Sequence, residues 1–358
     1  MLYYLYPLRE IFFPFNVLRY ITFRSAGAAL TALVLSFIFT RRMIRIFREK
    51  GIRERVSKYI KDTHGEKEGT PTMGGAAIVL SLFISTLLWA NPLNKLVILI
   101  LITLIWLGIF GIVDDMRKIK KGKGLSVREK FLIQSILGTG VGIFLYFSPV
   151  KRGYETMTHL LFLKNYFLNF GIFYIPFIIL VIVGTTNAVN LTDGLDGLAI
   201  GLIGILAFTF AILTYIAGHI KLSDYLNVLY IKGAGELTVF CGAVVGSALG
   251  FLWFNAHPAE IFMGDTGSLV LGGTLGVVAV LIKQEILLLI AGGVFVMETL
   301  SVILQVLFYR TKKKRIFLRA PIHHHFQLRG LSEEKIVVRF WILGILFSLV
   351  ALSTLKIR

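Results

Sequence analysis

The stretch from Asn187 to Ala199, N-A-V-N-L-T-D-G-L-D-G-L-A, decides how the rest of the chain is interpreted. It places two Asn, two Asp and two Gly between two long apolar runs, Phe177–Val183 and Ile200–Phe208. Carboxylates beside a membrane-spanning segment are costly unless a ligand or partner compensates for their desolvation. Asp193 and Asp196 therefore mark a candidate functional site. The alternative is a solvated loop in which they cap the next helix.

Composition identifies the class of protein. The 358 residues are 56% apolar, and the apolar runs approach the ~20 residues that cross a bilayer. The net charge of +18 is also typical of nucleic-acid-binding proteins, but here Lys and Arg cluster in the loops between apolar runs. That pattern indicates membrane topology and argues against nucleic acid as a partner. We predict an all-α, polytopic integral membrane protein with a single transmembrane domain over residues 1–358.

The apolar runs predict about ten transmembrane helices after an aromatic, interfacial segment at residues 1–24. The spans lie near residues 25–40, 72–90, 95–113, 131–147, 172–189, 198–217, 236–254, 268–282, 286–308 and 340–355. The loops after the odd-numbered spans are 41–68, 114–130, 190–197, 255–267 and 309–339, and they hold 26 of the 38 Lys and Arg residues. Basic loops stay in the cytoplasm. This face is therefore predicted to be cytoplasmic, with both termini outside.

Five acids emerge on that predicted cytoplasmic face, each at the end of a span: Asp114, Asp115, Asp193, Asp196 and Asp265. Converging carboxylates suit Mg²⁺, which is held by one or two carboxylates together with substrate phosphates. Neighbouring Lys residues, such as Lys118 and Lys130, suit phosphate oxygens. The turn from Gly264 to Ser268 opens a helix whose free N–H groups favour an anion. These features together predict a transferase that joins a nucleotide-activated group to a lipid phosphate.

Each feature also has a simpler interpretation. Asp114 and Asp115 are also typical of a solvated helix end, and Asp265 of a helix cap. The three consecutive histidines, His323 to His325, are either a metal tract or an exposed loop. Gln305 is either interhelical glue or a substrate contact. Phe262 is either a packing residue or a stacking platform for a base.

Several ordered motifs resemble one known family. They are the Asn187–Ala199 stretch, Val113-Asp114-Asp115, the segment from Asn255 to Ser268, and Ala320-Pro321-Ile322-His323-His324-His325-Phe326. With these motifs the chain resembles the polyprenyl-phosphate N-acetylhexosamine-1-phosphate transferases. Two further segments, Thr70–Gly75 and Arg19–Ser25, resemble the branch that takes a muramoyl-pentapeptide substrate. The resemblance runs from about residue 16 to the C-terminus.

The resemblance implies the first membrane step of peptidoglycan synthesis, on the cytoplasmic side of the bacterial inner membrane. UDP-N-acetylmuramoyl-pentapeptide and undecaprenyl phosphate would give lipid I and UMP, with Mg²⁺ as cofactor. A homodimer is a further expectation at the level of the family. One departure from the family pattern is Gly122, which stands between Lys121 and Lys123 where some members carry Lys.

The resemblance also implies residue roles. Asp265 would ligate Mg²⁺, and Asp114 would be the base for the lipid phosphate, with Asp115 beside it and His324 also catalytic. The implied substrate-binding residues are Lys67, Thr72, Lys118, Lys130, Asn187, Asn190, Asp193, Gly194, Leu195, Asp196, Phe262, Gly264, Ser268, Gln305, His323 and His325. Direct attack and double displacement through a covalent intermediate both remain open.

Three other functions compete with this one, of which a non-catalytic scaffold for cell-wall synthesis gives no reason for five acids on one face. A sister enzyme would use UDP-N-acetylglucosamine with the same chemistry, and the Ala-Pro before the histidines argues against it. An ion-coupled transporter would also carry acids within its membrane segments, but it should place them near the midplane with broken helices in both halves. Acids at the ends of spans on one face favour the enzyme.

Overall fold

The computed structural model describes residues 1–49, 70–160 and 166–356. Within these residues the chain is almost entirely helical. The α-helices are α1 (Ile21–Glu49), α2 (Gly75–Trp89), α3 (Lys95–Lys121), α4 (Val127–Phe147), α5 (Tyr174–Thr192), α6 (Leu198–Ala217), α7 (Ile220–Tyr225), α8 (Gly235–Asn255), α9 (Gly264–Leu281), α10 (Glu285–Ala291), α11 (Gly293–Lys312), α12 (Ile322–Leu328) and α13 (Glu333–Ser353). Short 3₁₀ helices occupy Leu2–Glu10, Phe13–Arg19, Gly171–Phe173 and Thr354–Lys356.

The all-α membrane fold predicted from the apolar runs is confirmed. Nine helices in the described residues are long and apolar enough to cross a bilayer. The second predicted span corresponds to α2, which is apolar but has only 15 residues. The ninth predicted span, 286–308, is two helices, α10 and α11, which meet at Gly292.

Several helices continue beyond their apolar runs into regions predicted as loops. α3 extends to Lys121, so that Asp114, Asp115 and Lys118 lie on a helix and not in a loop. Basic residues in a last turn favour the negative end of the helix dipole, and the helix ends at Gly122, whose φ of 70° is the left-handed conformation of a C-terminal cap. Hydropathy marks only the apolar part of such a helix, which is why the predicted boundary was too early.

The most buried helix is α9, which packs against α3 and α5. Its first turns touch the backbone of neighbouring helices directly. A Cβ at Gly75 of α2 would overlap the backbone of Gly267, and a Cβ at Gly111 of α3 would lie 2.5 Å from the Cα of Thr266. Glycine at these crossings lets the three helices α2, α3 and α9 meet without intervening side chains.

The end of the bundle opposite Asp265 is held by buried charges. Strands β1 (Met157–His159) and β2 (Phe167–Asn169) form an antiparallel pair with Thr158 opposite Leu168. Glu285 accepts hydrogen bonds from the Thr158 hydroxyl and the Tyr174 phenol, both at 2.5 Å. Lys283 donates to the same phenol at 2.8 Å. Burial lowers the pKa of Lys283, in the connection between α9 and α10, to about 8.

A second buried ion pair joins distant parts of the chain at the same end. The Arg24 guanidinium donates to both carboxylate oxygens of Glu236, at 2.6 and 2.7 Å, and to the carbonyl of Trp89. Glu236 also accepts from the Asn91 backbone N–H. A bidentate pair of this kind fixes α1, α8 and the α2–α3 connection relative to one another.

Candidate active site

The last turns of α3 supply one wall of the site. Asp114 is fully buried, and the Lys118 ammonium lies 3.0 Å from it across one helical turn. Residues i and i+4 share a helix face, so both side chains point toward the same neighbours. The second carboxylate oxygen of Asp114 accepts the backbone N–H of Leu125. The chain therefore holds Asp114 beneath the α3–α4 connection.

The start of α4 positions a second lysine. Ser126 and Glu129 form a capping box, in which the Ser126 hydroxyl accepts the Glu129 N–H and the Glu129 carboxylate accepts the Ser126 N–H. This arrangement fixes where the helix begins. It places Lys130 in the first turn, where its ammonium lies 3.1 Å from Asp114 and also contacts Asp265.

Asp265, in the first turn of α9, is the point where four helices meet. Its carboxylate contacts Lys118 of α3 at 2.5 Å, Lys130 of α4, and the side-chain amide of Asn190 of α5 at 3.2 Å. The same amide donates to the Ser268 hydroxyl at 2.9 Å. The structure thus brings Asp114, Asp265, Lys118, Lys130, Asn190 and Ser268, all predicted site residues, into one cluster.

Asp115 has a different position from its neighbour. One of its oxygens accepts the Asp265 N–H at 3.0 Å, and the other accepts the Thr266 N–H at 2.9 Å and the Thr266 hydroxyl at 2.6 Å. These are N–H groups that the sequence predicted to be free for an anion. Gly264 is required at this junction, because its φ is 72° and a Cβ would lie 2.7 Å from Asp115. Asp115, predicted to be catalytic, is therefore placed as the cap of α9.

The acids of this cluster fit a hard divalent cation. One ligand oxygen from each of Asp114, Asp115 and Asp265 lies within 4.8 Å of the others, and all three residues are buried. Carboxylate oxygens are the ligands that such cations prefer. Both Asp115 oxygens bond to the first turn of α9, whereas Asp114 and Asp265 share the ammonium groups of Lys118 and Lys130, so Asp114 and Asp265 are the better ligands. The ammonium groups of Lys118 and Lys130 balance the two charges.

A second cluster gathers around Asp196. Its carboxylate accepts the Ala259 N–H at 3.1 Å and lies 3.1 Å from Nδ1 of His257, while its backbone N–H donates to Glu333. Asn255 bonds both the Gly197 N–H and the Ile261 carbonyl. These contacts tie the loop before α6 to the loop that carries Phe262.

The three consecutive histidines lie on α12 and have three different environments. His323 is fully buried, and its Nδ1 is 3.1 Å from Glu298 of α11, which is also fully buried. Its Nε2 packs so closely on Gly194 that a Cβ there would overlap it. His324 Nδ1 lies 2.8 Å from the Gln327 amide oxygen, and His325 Nδ1 accepts the Leu318 N–H.

Other predicted site residues bond to the protein itself. The Gln305 amide oxygen accepts the N–H groups of Ile316 and Phe317, and its nitrogen donates to the Phe317 carbonyl. These bonds favour a structural role for Gln305, which joins two segments of the protein, over a role in binding substrate. Asn187 donates to Gln134 at 2.7 Å and to the Val183 carbonyl, one turn deeper than Asn190.

Three of the remaining predicted residues, Thr72, Asp193 and Leu195, lie in the segments that lead into the site helices. Thr72 is buried in a segment that pairs with the entry to α9, since Phe262 N–H donates to the Pro71 carbonyl and Gly74 N–H to the Phe262 carbonyl. Leu195 is buried, and Asp193 is the C-terminal cap residue of α5. Lys67 lies outside the described residues.

Sequence reasoning missed four partners: Glu298 beside His323, His257 and Glu333 beside Asp196, and Thr266 beside Asp115. The sequence did indicate a role for Glu298, because an acid inside an apolar span needs a partner. The other three gave none, since each pairing joins segments that are far apart in the chain.

Known proteins are similar to this chain along its whole length. The glycosyl transferase family 4 profile matches residues 97–283, and signature 1 of the phospho-N-acetylmuramoyl-pentapeptide-transferases matches residues 67–79. The phospho-N-acetylmuramoyl-pentapeptide-transferase of Citrifermentans bemidjiense is 53% identical over 361 residues, covering 100% of both chains. Those of Endomicrobium trichonymphae and Thermodesulfovibrio yellowstonii are similar at 48% and 49% identity, covering 100% and 99% of each chain.

Proposed function

The chain belongs to the phospho-N-acetylmuramoyl-pentapeptide-transferase family, and from this membership we propose its reaction. It transfers phospho-N-acetylmuramoyl-pentapeptide from UDP to undecaprenyl phosphate, which gives lipid I and UMP. An ion-coupled transporter is not favoured, because the full-length relatives carry a transferase name.

One structural observation supports the proposed chemistry independently of family membership. Three helices, α3, α4 and α9, bring two carboxylates, Asp114 and Asp265, and two ammonium groups, Lys118 and Lys130, into direct contact. Phosphoryl transfer needs positioning and charge neutralisation more than covalent help from the protein. A site in which buried carboxylates alternate with partly exposed ammonium groups supplies both.

The reaction follows from the charges of the substrates. An oxygen of the lipid phosphate attacks the β-phosphorus of the UDP-linked substrate, and the bond from that phosphorus to the bridging oxygen breaks. UMP leaves with the electron pair of that bond. A phosphate monoester has a second pKa of about 6, so the lipid phosphate needs no base near pH 7. Asp114, which is fully buried and bonded to Leu125, would hold Lys118 and Lys130 in place to bind phosphate oxygens.

The cofactor in this proposal is Mg²⁺, held by Asp265 and Asp114. When bound, it would supply positive charge that neutralises the charge developing on the leaving group. Asn190 bonds both Asp265 and Ser268, and so fixes the orientation of the Asp265 carboxylate.

The polyprenyl chain has a suitable path beside the site. A mostly apolar cavity of about 300 Å³ opens between α5, α9, α10 and α11. Its lining includes Phe177, Leu180, Ala188, Val189, Leu275 and Leu300. Ala188 and Val189 directly precede Asn190, which contacts Asp265. A lipid in this cavity would bring its phosphate to the carboxylates.

The proposal includes a location. Because 26 of the 38 Lys and Arg residues fall in the predicted loops on the side of Asp265, that side would face the cytoplasm from the bacterial cytoplasmic membrane. Both termini would then be outside. A homodimer remains a prediction at the level of the family.

The test is UMP release by the detergent-solubilised full chain with undecaprenyl phosphate and Mg²⁺. We expect release with UDP-N-acetylmuramoyl-pentapeptide and not with UDP-N-acetylglucosamine. Omitting the lipid or adding EDTA should reduce release to background, and excess Mg²⁺ should restore it after EDTA.

Three results would contradict parts of the proposal. Release only with UDP-N-acetylglucosamine would move the substrate to the sister family. If EDTA does not change UMP release, the reaction does not need Mg²⁺, and that part of the proposal is wrong. Release with neither substrate, from protein with a normal melting transition, would reject the reaction itself.

A further inference from the structure

The second half of α11 is exposed on every side. Six of its residues, Ile303, Leu304, Val306, Leu307, Phe308 and Tyr309, are apolar or aromatic, and each side chain is between 37% and 55% exposed. Successive helix residues point about 100° apart, so these side chains surround the helix. A helix that is apolar on all faces is stable in a protein core or in lipid. Because this one leaves the core, we infer that it lies in lipid.

A run of cations follows this apolar segment. It consists of Arg310, Lys312, Lys313, Lys314, Arg315 and Arg319, and the sequence has no acid between Glu298 and Glu333. The cations from Arg310 to Arg315 are exposed. Among the described residues, none of these five forms an ion pair. Their charge is therefore uncompensated by the part of the protein that the structure describes.

The fold presents these cations at the tip of a hairpin. α11 ends at Lys312, and the φ of 54° at the following residue, Lys313, turns the chain back. The Gln305 side chain then holds Ile316 and Phe317 against the helix through three hydrogen bonds. Ile316 and Leu318, at 46% and 49% exposed, place apolar groups beside the charges. We name residues 302–319 the basic arm.

We propose that the basic arm is a membrane-docking element whose tip binds the anionic head groups of phospholipids in the leaflet nearest Asp265. The apolar helix would set the depth of the basic arm in the bilayer. The cations would then lie at the level of the lipid phosphates, as Lys and Arg do at membrane interfaces. An acidic protein in water would match the charge but would leave the apolar side chains exposed to solvent. Each cation near an anionic surface corresponds to about a fivefold enrichment.

The experiment measures contact with lipid and does not depend on turnover. Thr311, exposed between Arg310 and Lys312, is replaced by Cys and labelled with bimane. The native Cys241 is fully buried and should not react. The labelled full chain is reconstituted in phosphatidylcholine vesicles that contain brominated phosphatidylglycerol or, at the same mole fraction, brominated phosphatidylcholine.

We expect phosphatidylglycerol to quench bimane at a mole fraction at least about fivefold lower than phosphatidylcholine does. The preference should weaken strongly in a K312Q/K313Q/K314Q variant, which removes three of the six cations, and should also weaken in high salt. A control variant, R41Q/R42Q/R45Q, removes the same charge from the exposed end of α1 and should keep the preference.

Equal quenching by the two lipids in the parent protein would overturn the proposal, as would an unchanged preference in the arm variant. Quenching by aqueous iodide and by neither lipid would place the arm in water and favour a protein partner. Because no substrate is present, failure here leaves the proposed transferase reaction untouched.

Discussion

An Asp265→Asn variant is expected to lose at least about a thousandfold in UMP release while it keeps its fold. The carboxylate of Asp265 contacts Lys118, Lys130 and Asn190, so it stands where three other helices converge. An amide cannot balance two ammonium groups and is a weak ligand for a hard cation. Removing one charge-stabilising group from a phosphoryl-transfer site costs several kcal/mol of the barrier, and about 4 kcal/mol is a thousandfold.

Stability should change little in this variant. The Lys118 side chain is 40% exposed, and both lysines keep their contacts with Asp114. The measurement pairs UMP release with the melting temperature in detergent. Asp224→Asn is a matched control, because Asp224 is exposed on α7, at the other end of the bundle. It should retain normal turnover. Substantial activity in the Asp265 variant would show that the metal assignment is wrong.

An Asp115→Asn variant is expected to lose both activity and stability. The two Asp115 oxygens accept three hydrogen bonds from the first turn of α9, and an Asn nitrogen would oppose an N–H donor. Leaving a buried donor unpaired costs about 1–3 kcal/mol. Because the freed turn carries Asp265, we expect UMP release to fall by about a hundredfold as the carboxylate moves from its position.

Two variants of Thr266 separate the cap from a direct chemical role. Thr266→Val removes only the hydroxyl bond to Asp115, at 2.6 Å, and should lower both the melting temperature and the activity by a smaller amount. Thr266→Ser keeps the hydroxyl and should behave like the parent. If Asp115 were the nucleophile or base, its Asn variant would be inactive at a normal melting temperature, and Thr266→Val would have no effect on turnover.

The membrane fold was predictable because hydropathy registers the length of each apolar run. Hydropathy predicts the wrong helix boundary at two places. α3 continues to Lys121, beyond the predicted end at residue 113, because a helix can extend into polar surroundings when its last residues are good helix formers. The break at Gly292, between α10 and α11, lies inside one continuous apolar run, where hydropathy has no contrast.

The site was predictable in outline, since acids at the ends of spans on one face must lie close together in a compact bundle. The structure brings Asp114 and Asp265 together as expected. It also separates residues that the motifs had grouped, because Asn187 bonds Gln134 while Asn190, one turn away, bonds Asp265. Which of two adjacent acids serves as a cap depends on the direction of each side chain toward α9. The direction of each side chain depends on how the helices cross in space. It cannot be predicted from the spacing of the residues in the sequence.

The glycine crossings beneath Asp265 have a consequence for resistance to inhibitors. A compound that occupied this site would contact side chains whose positions depend on the buried crossings of Gly75 and Gly111 with the backbone of α9. Any larger residue at these positions must push two helices apart, so we expect such changes to inactivate the protein before they exclude the compound. Escape mutations should therefore arise in the surrounding loops, and a compound that contacts mainly the side chains held by these crossings should select few of them.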